Sequence, residues 1–290
     1  MHLPVLHTGR SRRWLLSRGA AVAAAAVGAN TVLAVDASAR ALPVVDMEMV
    51  LLAAQVDPPK SGTGLTPGAA SHVLEVERAL QAKGLLSSGA VDGHYGTSTV
   101  AAYAAWQRSL GYSGLDANGF PGPTSLTSLA DGRFTVTRAV SPGSRSSTYG
   151  GVRVNTRTRD MLAAADALLS WSLVLSQGSY TSTNPSSAGT HDGGGVVDLS
   201  VTNLTTTQRW QTVLALRTVG FAAWLRNPSQ GSWPYHIHAV AISDSDLAPA
   251  AANQVHDYYV GKNGLANHAA DDTPTAYRTA FTWWETYRRG

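Results

Sequence analysis

The chain of 290 residues contains no cysteine. This absence excludes disulfide bonds, metal sites built on thiolates and a cysteine nucleophile. Any metal ion must therefore be bound by histidine and carboxylate side chains. Charge is also scarce, since charged residues make up 14% of the chain and hydrophobic residues 44%. A chain of this length and composition can form one large domain or two modest ones, each with a buried core.

The net charge of +3 originates at the N-terminus. The chain has 22 basic and 19 acidic residues, but four arginines and a single aspartate lie in residues 1–39, which leaves 18 of each in the remainder. Because the remainder is close to neutral, we expect no nucleic-acid partner.

Residues 1–39 have the pattern of an export signal. Arg12-Arg13 precedes Leu15-Leu16 and an alanine-rich apolar run, which ends at the small-residue cleavage pattern Ala37-Ser38-Ala39. The paired arginines resemble the twin-arginine signal, with general secretion as the alternative. An uncleaved membrane anchor is the other alternative, but the run is short and weakly hydrophobic. We expect a secreted or cell-wall protein that has no membrane contact after signal cleavage and is a monomer.

Proline- and glycine-rich stretches divide the rest of the chain. We predict a linker over residues 40–70, a small helical domain over 71–131, a second linker over 132–152 and a larger domain over 153–290. In the larger domain, helices and strands interleave without a regular βαβ repeat, which predicts the α+β class. The predicted elements are a helix that begins at Asn155 or Thr156, strands over 171–175, 195–201 and 235–242, a helix over 205–219 and a turn at Arg226-Asn227-Pro228.

The small domain carries many spaced positions that agree with one family pattern. The matching positions are Leu80-Gln81, Gly84-Leu85, Asp92-Gly93-His94-Tyr95-Gly96, Thr99, Ala102-Tyr103, Trp106-Gln107 and Gly119-Phe120-Pro121-Gly122-Pro123-Thr124. The segment resembles the peptidoglycan-binding domain type 1, a three-helix module, and the resemblance implies peptidoglycan as the partner. The residues themselves are turn formers and core aromatics, so none of them is singled out as a binding residue.

Four polar side chains of the larger domain form a candidate metal site. His191 lies in a loop, and Asp198 follows it on a predicted strand after three glycines that allow a tight turn. His236 and His238 are two apart on another predicted strand, so both imidazoles lie on one face while Ile237 points to the other. One aspartate and two histidines make a set of three metal ligands, which leaves a fourth position for water or substrate.

These residues resemble a superfamily of zinc proteins. The superfamily contains lysostaphin-type endopeptidases, zinc D-Ala-D-Ala carboxypeptidases and the hedgehog signalling domain, and its first motif, His-x-x-Gly-x-x-x-Asp, is matched by His191, Gly194 and Asp198. The resemblance implies a central antiparallel sheet, with His191, Asp198 and His238 as the ligands of a Zn²⁺ ion. It also implies that His236 faces the substrate.

The chain departs from the carboxypeptidase pattern at two positions. Those enzymes usually place a glutamate shortly before the last zinc ligand as a general base, and none of the four glutamates here lies at such a position. His236 is then the natural base, because it can accept a proton from a metal-bound water whose pKa is about 7. The arginine that often precedes the first ligand is also missing. Tyr180 lies there instead, either as a donor to the oxyanion or as an aromatic wall.

The sequence therefore predicts an exported zinc peptidase that hydrolyses D-amino-acid-containing bonds of peptidoglycan peptides, as a carboxypeptidase or an endopeptidase. The alternative is a non-catalytic peptidoglycan-binding protein with a structural or relict zinc site. Three further polar residues are weaker candidates: Asp192, next to the first ligand, is a solvated loop carboxylate or an outer partner, and His256 and His268 are not expected to bind the metal.

Overall fold

The computed structural model of the protein describes residues 41–58 and 66–290. The predicted export signal, residues 1–39, lies outside this part of the chain. Helices are combined with mostly antiparallel strands, which confirms the α+β class. No helix in the two described ranges combines the length and the apolar composition that a membrane span requires.

The elements follow one another in a mixed order. The α-helices of the described ranges are α1 (Met47–Val56), α2 (Ala70–Ala82), α3 (Thr97–Ser109), α4 (Pro123–Leu129), α5 (Thr156–Asp166), α6 (Thr206–Thr218), α7 (Pro249–Tyr259) and α8 (Trp284–Arg289). The strands are β1 (Val44–Asp46), β2 (Thr135–Thr137), β3 (Ser147–Tyr149), β4 (Val152–Val154), β5 (Leu175–Gln177), β6 (Val196–Ser200), β7 (Phe221–Arg226) and β8 (His236–Ala241).

Helices α2, α3 and α4 form the small helical domain that the sequence predicts. Val73, Val76 and Leu80 recur at helical spacing on α2, and all three are fully buried in one core with Tyr103 and Trp106 of α3. The apolar stripe of each helix thus supplies the core of this domain.

Two buried polar side chains of the helical domain hold its turns. Glu77 of α2 accepts hydrogen bonds from the backbone N–H groups of Asp92 and Gly93, at 3.0 and 2.7 Å. Gln107 of α3 accepts from Gly119 N at 2.8 Å and donates to Phe120 O at 2.9 Å. Each side chain satisfies backbone groups that would otherwise be buried without a partner.

Both ranges predicted as linkers contain regular structure. In residues 40–70, β1 leads into α1, whose side chains are all buried except that of Met49. A helix that is apolar all round is stable only when it is covered on all sides, and α1 contacts both α2 and α7. Strand β2, in the second predicted linker, pairs with β1. The proline- and glycine-rich stretches therefore lie beside structured segments and do not separate independent bodies.

The larger domain is built on a four-stranded antiparallel sheet with the order β5-β6-β8-β7. The predicted strands at 195–201 and 235–242 are β6 and β8, whereas the strand predicted at 171–175 begins only at Leu175. Strand β7 is not predicted from the sequence, although all of its residues are buried. Asn155 is the N-cap of α5, as expected, and accepts a hydrogen bond from Thr158 N at 2.8 Å.

The two faces of this sheet have different contents. On one face Leu199, Leu225 and Ile237 belong to a core that also contains residues of α5 and α6. On the other face Val196 and Val240 belong to the core that includes α1 and α7. Farther along the strands, the same face carries polar residues. These are Asp198, Arg226, His236 and His238. The polar end of this face carries the candidate functional site.

Candidate metal centre

Asp198 and His238 are directly opposite each other on neighbouring strands. They are register partners of β6 and β8, and Asp198 Oδ1 lies 2.8 Å from His238 Nδ1. Opposed residues of an antiparallel pair place their side chains on the same face, so the sheet itself brings this pair together. Ile237, between the two histidines of β8, is fully buried in the opposite core.

His191 reaches the same point from a loop. It lies in a short 3₁₀ turn, Thr190–Asp192, is 1% exposed, and its Nε2 is 3.4 Å from Asp198 Oδ2. The structure therefore brings together the three residues predicted as metal ligands. Their ligand atoms all lie within 4.8 Å of one another.

The three glycines that follow His191 allow this approach in two different ways. Gly195 has a φ of +75°, which an L side chain rarely adopts. Gly193 and Gly194 have ordinary φ angles but lie against the segment 244–248, where a Cβ on Gly193 would be 2.3 Å from Asp246 O. Close packing, as well as a positive φ, therefore explains the glycine run.

Hydrogen bonds to backbone carbonyls determine which imidazole nitrogens carry protons. Gly178 O, which can only accept, lies 2.8 Å from His191 Nδ1, so the lone pair of this ring is on Nε2. Gln254 donates from Nε2 to Gly264 O at 2.9 Å, which turns its Oε1 toward His238 Nε2 at 2.9 Å. His238 therefore donates from Nε2 and has its lone pair on Nδ1.

The resulting set of atoms fits a divalent cation. The lone pairs of His191 Nε2 and His238 Nδ1 both face the Asp198 carboxylate, an arrangement that is unfavourable unless a positive charge lies between them. Metal binding requires neutral imidazoles and an ionised carboxylate. Burial lowers the pKa of His238. Burial of Asp198 opposes its ionisation, but hydrogen bonds and charge from the protonated forms of His191 and His238 would hold its pKa well below its ordinary value, a role that a bound cation takes when both rings are neutral.

His236 lies beside this set without being part of it. Its Nε2 is 3.9 Å from Asp198 Oδ1. Its Nδ1 donates to Pro234 O at 2.9 Å, so Nε2 carries the lone pair. The side chain is 17% exposed, and its ring meets the edge of Trp233 at a centroid distance of 6.1 Å. His236 thus presents an unprotonated nitrogen to the cavity, which is the state that a general base needs.

A cavity of about 420 Å³ lies over these residues. Its wall combines the three ligand candidates and His236 with residues from three other segments. Those segments contribute Ser186–Ala188, Arg226 with Gln230 and Trp233, and Gln254 with 264–267. A cavity of this size accommodates a short peptide segment.

The structure places Tyr180 outside the cavity, which corrects the prediction of an oxyanion donor. Its hydroxyl donates to Asp246 Oδ2 at 2.7 Å, and its ring lies under the guanidinium of Arg153 at 4.8 Å. Burial and the neighbouring carboxylate of Asp246 raise the pKa of this hydroxyl. Tyr180 therefore supports the loop that carries His191, since its hydroxyl also lies against Gly194.

The weaker candidates lie elsewhere. Asp192 is exposed. His256 Nδ1 lies 2.7 Å from Val56 O, and His268 Nδ1 lies 2.9 Å from Asp257 Oδ2. None of the three belongs to the cluster of ligand atoms.

Three residues of the cavity are not found from the sequence. Gln254 orients His238 from α7, while Arg226 and Trp233 line the wall next to His236. The predicted turn begins after Arg226, because Gln230 N bonds to Asn227 O at 3.0 Å. Arg226 is itself the last residue of β7 and the register partner of His236.

Comparison with known families identifies the helical domain. The family model described as "Putative peptidoglycan binding domain" matches residues 70–129. These residues therefore form a peptidoglycan-binding domain, as the sequence predicts, and peptidoglycan is the partner that this domain indicates. Neither the curated proteins nor the solved structures gave a match to the chain.

Proposed function

We propose that this protein is a zinc-dependent peptidase that hydrolyses D-amino-acid-containing bonds of peptidoglycan peptides. The observation that carries the proposal is the convergence of His191 Nε2, Asp198 and His238 Nδ1, with both lone pairs directed at the carboxylate. The peptidoglycan-binding domain at residues 70–129 supports the substrate class.

The chemistry of the proposed site needs an electrophile and a base. His191, Asp198 and His238 would hold a zinc ion, which would supply Lewis acidity and make water a better nucleophile at neutral pH. His236 accepts the proton of the attacking water at Nε2, since its other nitrogen donates to Pro234 O. The same imidazolium then returns a proton to the leaving amine.

The neighbours of the site keep these groups in position. Gln254 Oε1 accepts a hydrogen bond from His238 Nε2, and Gly178 O accepts one from His191 Nδ1. Outer hydrogen bonds of this kind orient metal-binding imidazoles and fix their tautomers. Trp224, stacked on His238 at a centroid distance of 6.4 Å, adds an apolar support.

The cell wall is the proposed place of action. The peptidoglycan-binding domain associates the protein with the wall. Export by the twin-arginine route is proposed from residues 1–39 alone. On this proposal the domain holds the cavity near its substrate and raises the local substrate concentration.

The test combines metal analysis with digestion of the polymer. Purified peptidoglycan is incubated with the zinc-supplemented protein, with chelator, and with His238→Ala, and the products are identified by mass spectrometry. We expect new peptide products only from the unmutated, metal-supplemented protein and from the control His268→Ala, whose histidine is not among the residues that line the cavity. Stoichiometric zinc without any product would contradict the peptidase proposal.

The role of His236 has its own test. His236→Ala should keep zinc, because His236 is not among the converging ligands, and should lose activity by about 100-fold or more, the usual contribution of a general base. Full activity of this variant with zinc bound would overturn the assignment of the base.

One observation favours a second candidate, a peptidoglycan-binding protein whose metal site is not catalytic. None of the four glutamates, all of which lie in the described ranges, lines the cavity. Glu48 pairs with Arg289, Glu285 pairs with Arg157, and Glu77 is buried in the helical domain. The digestion experiment separates the two candidates, since the second predicts zinc binding and polymer binding without products.

A further inference from the structure

Two buried hydrogen-bond donors of the cavity have no partner within the described residues. They are Arg226 Nη2 and Trp233 Nε1. Arg226 is 3% exposed, and its other terminal nitrogen, Nη1, donates to Asn263 O at 2.6 Å. Both side chains line the same cavity as His236 and the three ligand candidates.

An unpartnered cationic donor is costly to bury. A buried polar group without a hydrogen bond destabilises the folded state, and a buried charge does so more strongly. Burial lowers the pKa of Arg226 to about 10, so its guanidinium is still charged at neutral pH. The face of Trp224, 5.0 Å from the guanidinium, compensates in part. A buried guanidinium nitrogen without a partner is completed only by an added acceptor, and its charge favours an anion.

The position of the two donors determines where such an anion lies. Arg226 and His236 are register partners on the neighbouring strands β7 and β8, while Asp198 is on β6, at the other side of β8. Neighbouring strands are about 4.8 Å apart. In the strand order, the strand of His236 therefore lies between Asp198 and Arg226. Trp233, whose ring is nearly perpendicular to that of His236 at a centroid distance of 6.1 Å, lies on the wall of the same cavity.

We propose that Arg226 Nη2 and Trp233 Nε1 bind the free C-terminal carboxylate of the peptide whose preceding carbonyl lies at the His191–Asp198–His238 set. The inference deepens the proposed function, on which it rests, because it assigns the protein to carboxypeptidases and not to endopeptidases. A carboxylate accepts from both donors and neutralises the guanidinium. An internal peptide bond at the same place offers no charge to Arg226.

The experiment measures binding and not turnover. The full chain, treated with chelator, is titrated with diacetyl-L-Lys-D-Ala-D-Ala and with the same peptide as its C-terminal amide, using calorimetry. We expect the acid to bind about 10- to 100-fold more tightly than the amide, the usual range for a charge-assisted hydrogen bond. A third peptide, amidated at its C-terminus and carrying a side-chain carboxylate, distinguishes a terminal from a side-chain carboxylate and should bind like the amide.

Variants test whether Trp233 and Arg226 cause the preference for the peptide acid over its amide. Trp233→Phe removes the indole N–H but keeps an aromatic ring, and it should reduce the acid-to-amide affinity ratio several-fold, while Arg226→Gln should bring the ratio close to one. Arg209→Gln is the matched control, since Arg209 stacks on Tyr235 outside the cavity wall. Zinc binding and thermal unfolding of each variant are measured alongside, and Trp233→Phe retains the test if Arg226→Gln does not fold.

Equal affinity of the unmutated protein for acid and amide, or no measurable binding of the acid, would overturn this inference. So would an unchanged ratio in Trp233→Phe together with Arg226→Gln. A clear carboxylate preference without digestion of peptidoglycan would instead contradict the peptidase proposal and leave the carboxylate site standing.

Discussion

Buried polar side chains in the peptidoglycan-binding domain and in the cavity differ in what their hydrogen-bonding atoms contact. In residues 70–129, all described, no buried side-chain polar atom lacks a partner. Gln107 and Glu77 satisfy backbone groups of two turns there. In the cavity, acceptors of three residues face one another and two donors face no partner.

Buried polar side chains therefore fall into two groups: those whose hydrogen bonds complete the fold, and those whose polar atoms the fold leaves incomplete. A satisfied network stabilises and specifies a fold. A set of like atoms that converge, or donors without partners, is stable only when something else completes it. Two glutamines show the contrast most directly: Gln107 bonds to backbone atoms of a turn, whereas Gln254 bonds to the ring of a candidate ligand.

The largest effect on stability is expected from Gln107→Ala. The substitution leaves the N–H of Gly119 and the carbonyl of Phe120 buried without partners, which costs about 3 kcal/mol of the free energy of unfolding. Urea unfolding measures the loss, and zinc affinity should stay unchanged. Gln81→Ala, an exposed position in the same domain, is the control. A loss of less than about 1 kcal/mol would contradict a stabilising role for Gln107 and would remove the contrast between the helical domain and the cavity.

Asp198→Ala should weaken zinc binding without destabilising the fold, the reverse of what we expect for Gln107→Ala. Removing one ligand of three should weaken zinc binding by more than about 100-fold, because even outer partners of metal ligands contribute 10- to 100-fold. The metal-free protein should unfold at the same or a higher urea concentration, since the substitution removes the carboxylate that faces the lone pairs of both imidazoles. Competition with a chromophoric chelator gives the affinity, and the exposed neighbour Asp192→Ala serves as the control. Unchanged affinity would remove Asp198 from the metal site.

The pH dependence of stability should sharpen the comparison within the helical domain. Burial raises the pKa of Glu77 to about 7, against 4.5 for an ordinary glutamate. A folded-state pKa above the unfolded value gives a contribution that is complete below pH 4.5 and is lost as the pH rises through 7. We expect a loss of about 2 kcal/mol between pH 5 and 7.

Glu77→Gln should flatten this dependence, because an amide does not titrate and still accepts from Gly93 N. Urea unfolding at several pH values measures the free energy of unfolding of the unmutated protein and of the variant. Parallel pH profiles of the unmutated protein and the variant would show that another group is responsible.

The smallest effect is expected from Gln254→Ala. His238 loses the acceptor at its Nε2 but keeps Trp224 against its ring, so zinc should bind about 10-fold more weakly, the lower end for an outer partner. Asn253→Ala, on the exposed side of the same helix, is the control for α7. An effect on stability as large as that of Gln107→Ala, with zinc affinity intact, would break the contrast between the two glutamines.

Short-range patterns predicted much of the candidate site. The spacing of His191 from Asp198, and of His236 from His238, reflects a tight loop and the alternation of a strand. Both are local properties of the chain. The peptidoglycan-binding domain was equally predictable from the sequence, because its turn residues and core aromatics recur at fixed spacing.

Residues that act through long-range contacts were not predictable in this way. Gln254 lies in an ordinary amphipathic helix, and only the packing of α7 against the sheet brings it to His238. Arg226 was assigned to a turn because Asn227-Pro228 follows it, and β7 lacks the alternation that marks a half-buried strand. The role of Tyr180 was predicted from its place in the sequence, but its side chain is directed to Asp246.

The core that includes α1 also contains residues of the peptidoglycan-binding domain and of the sheet face below the cavity. Asn118 donates to Ser245 O at 2.9 Å, and Arg145 bridges Asp116 and Asp246. The domain and the cavity thus belong to one compact body within the described residues, 41–58 and 66–290. A bound glycan strand would then set the direction and distance at which the cavity meets a peptide. On the proposed function, the fixed position of the domain relative to the cavity limits which peptides of the wall can reach His236 and the candidate ligands.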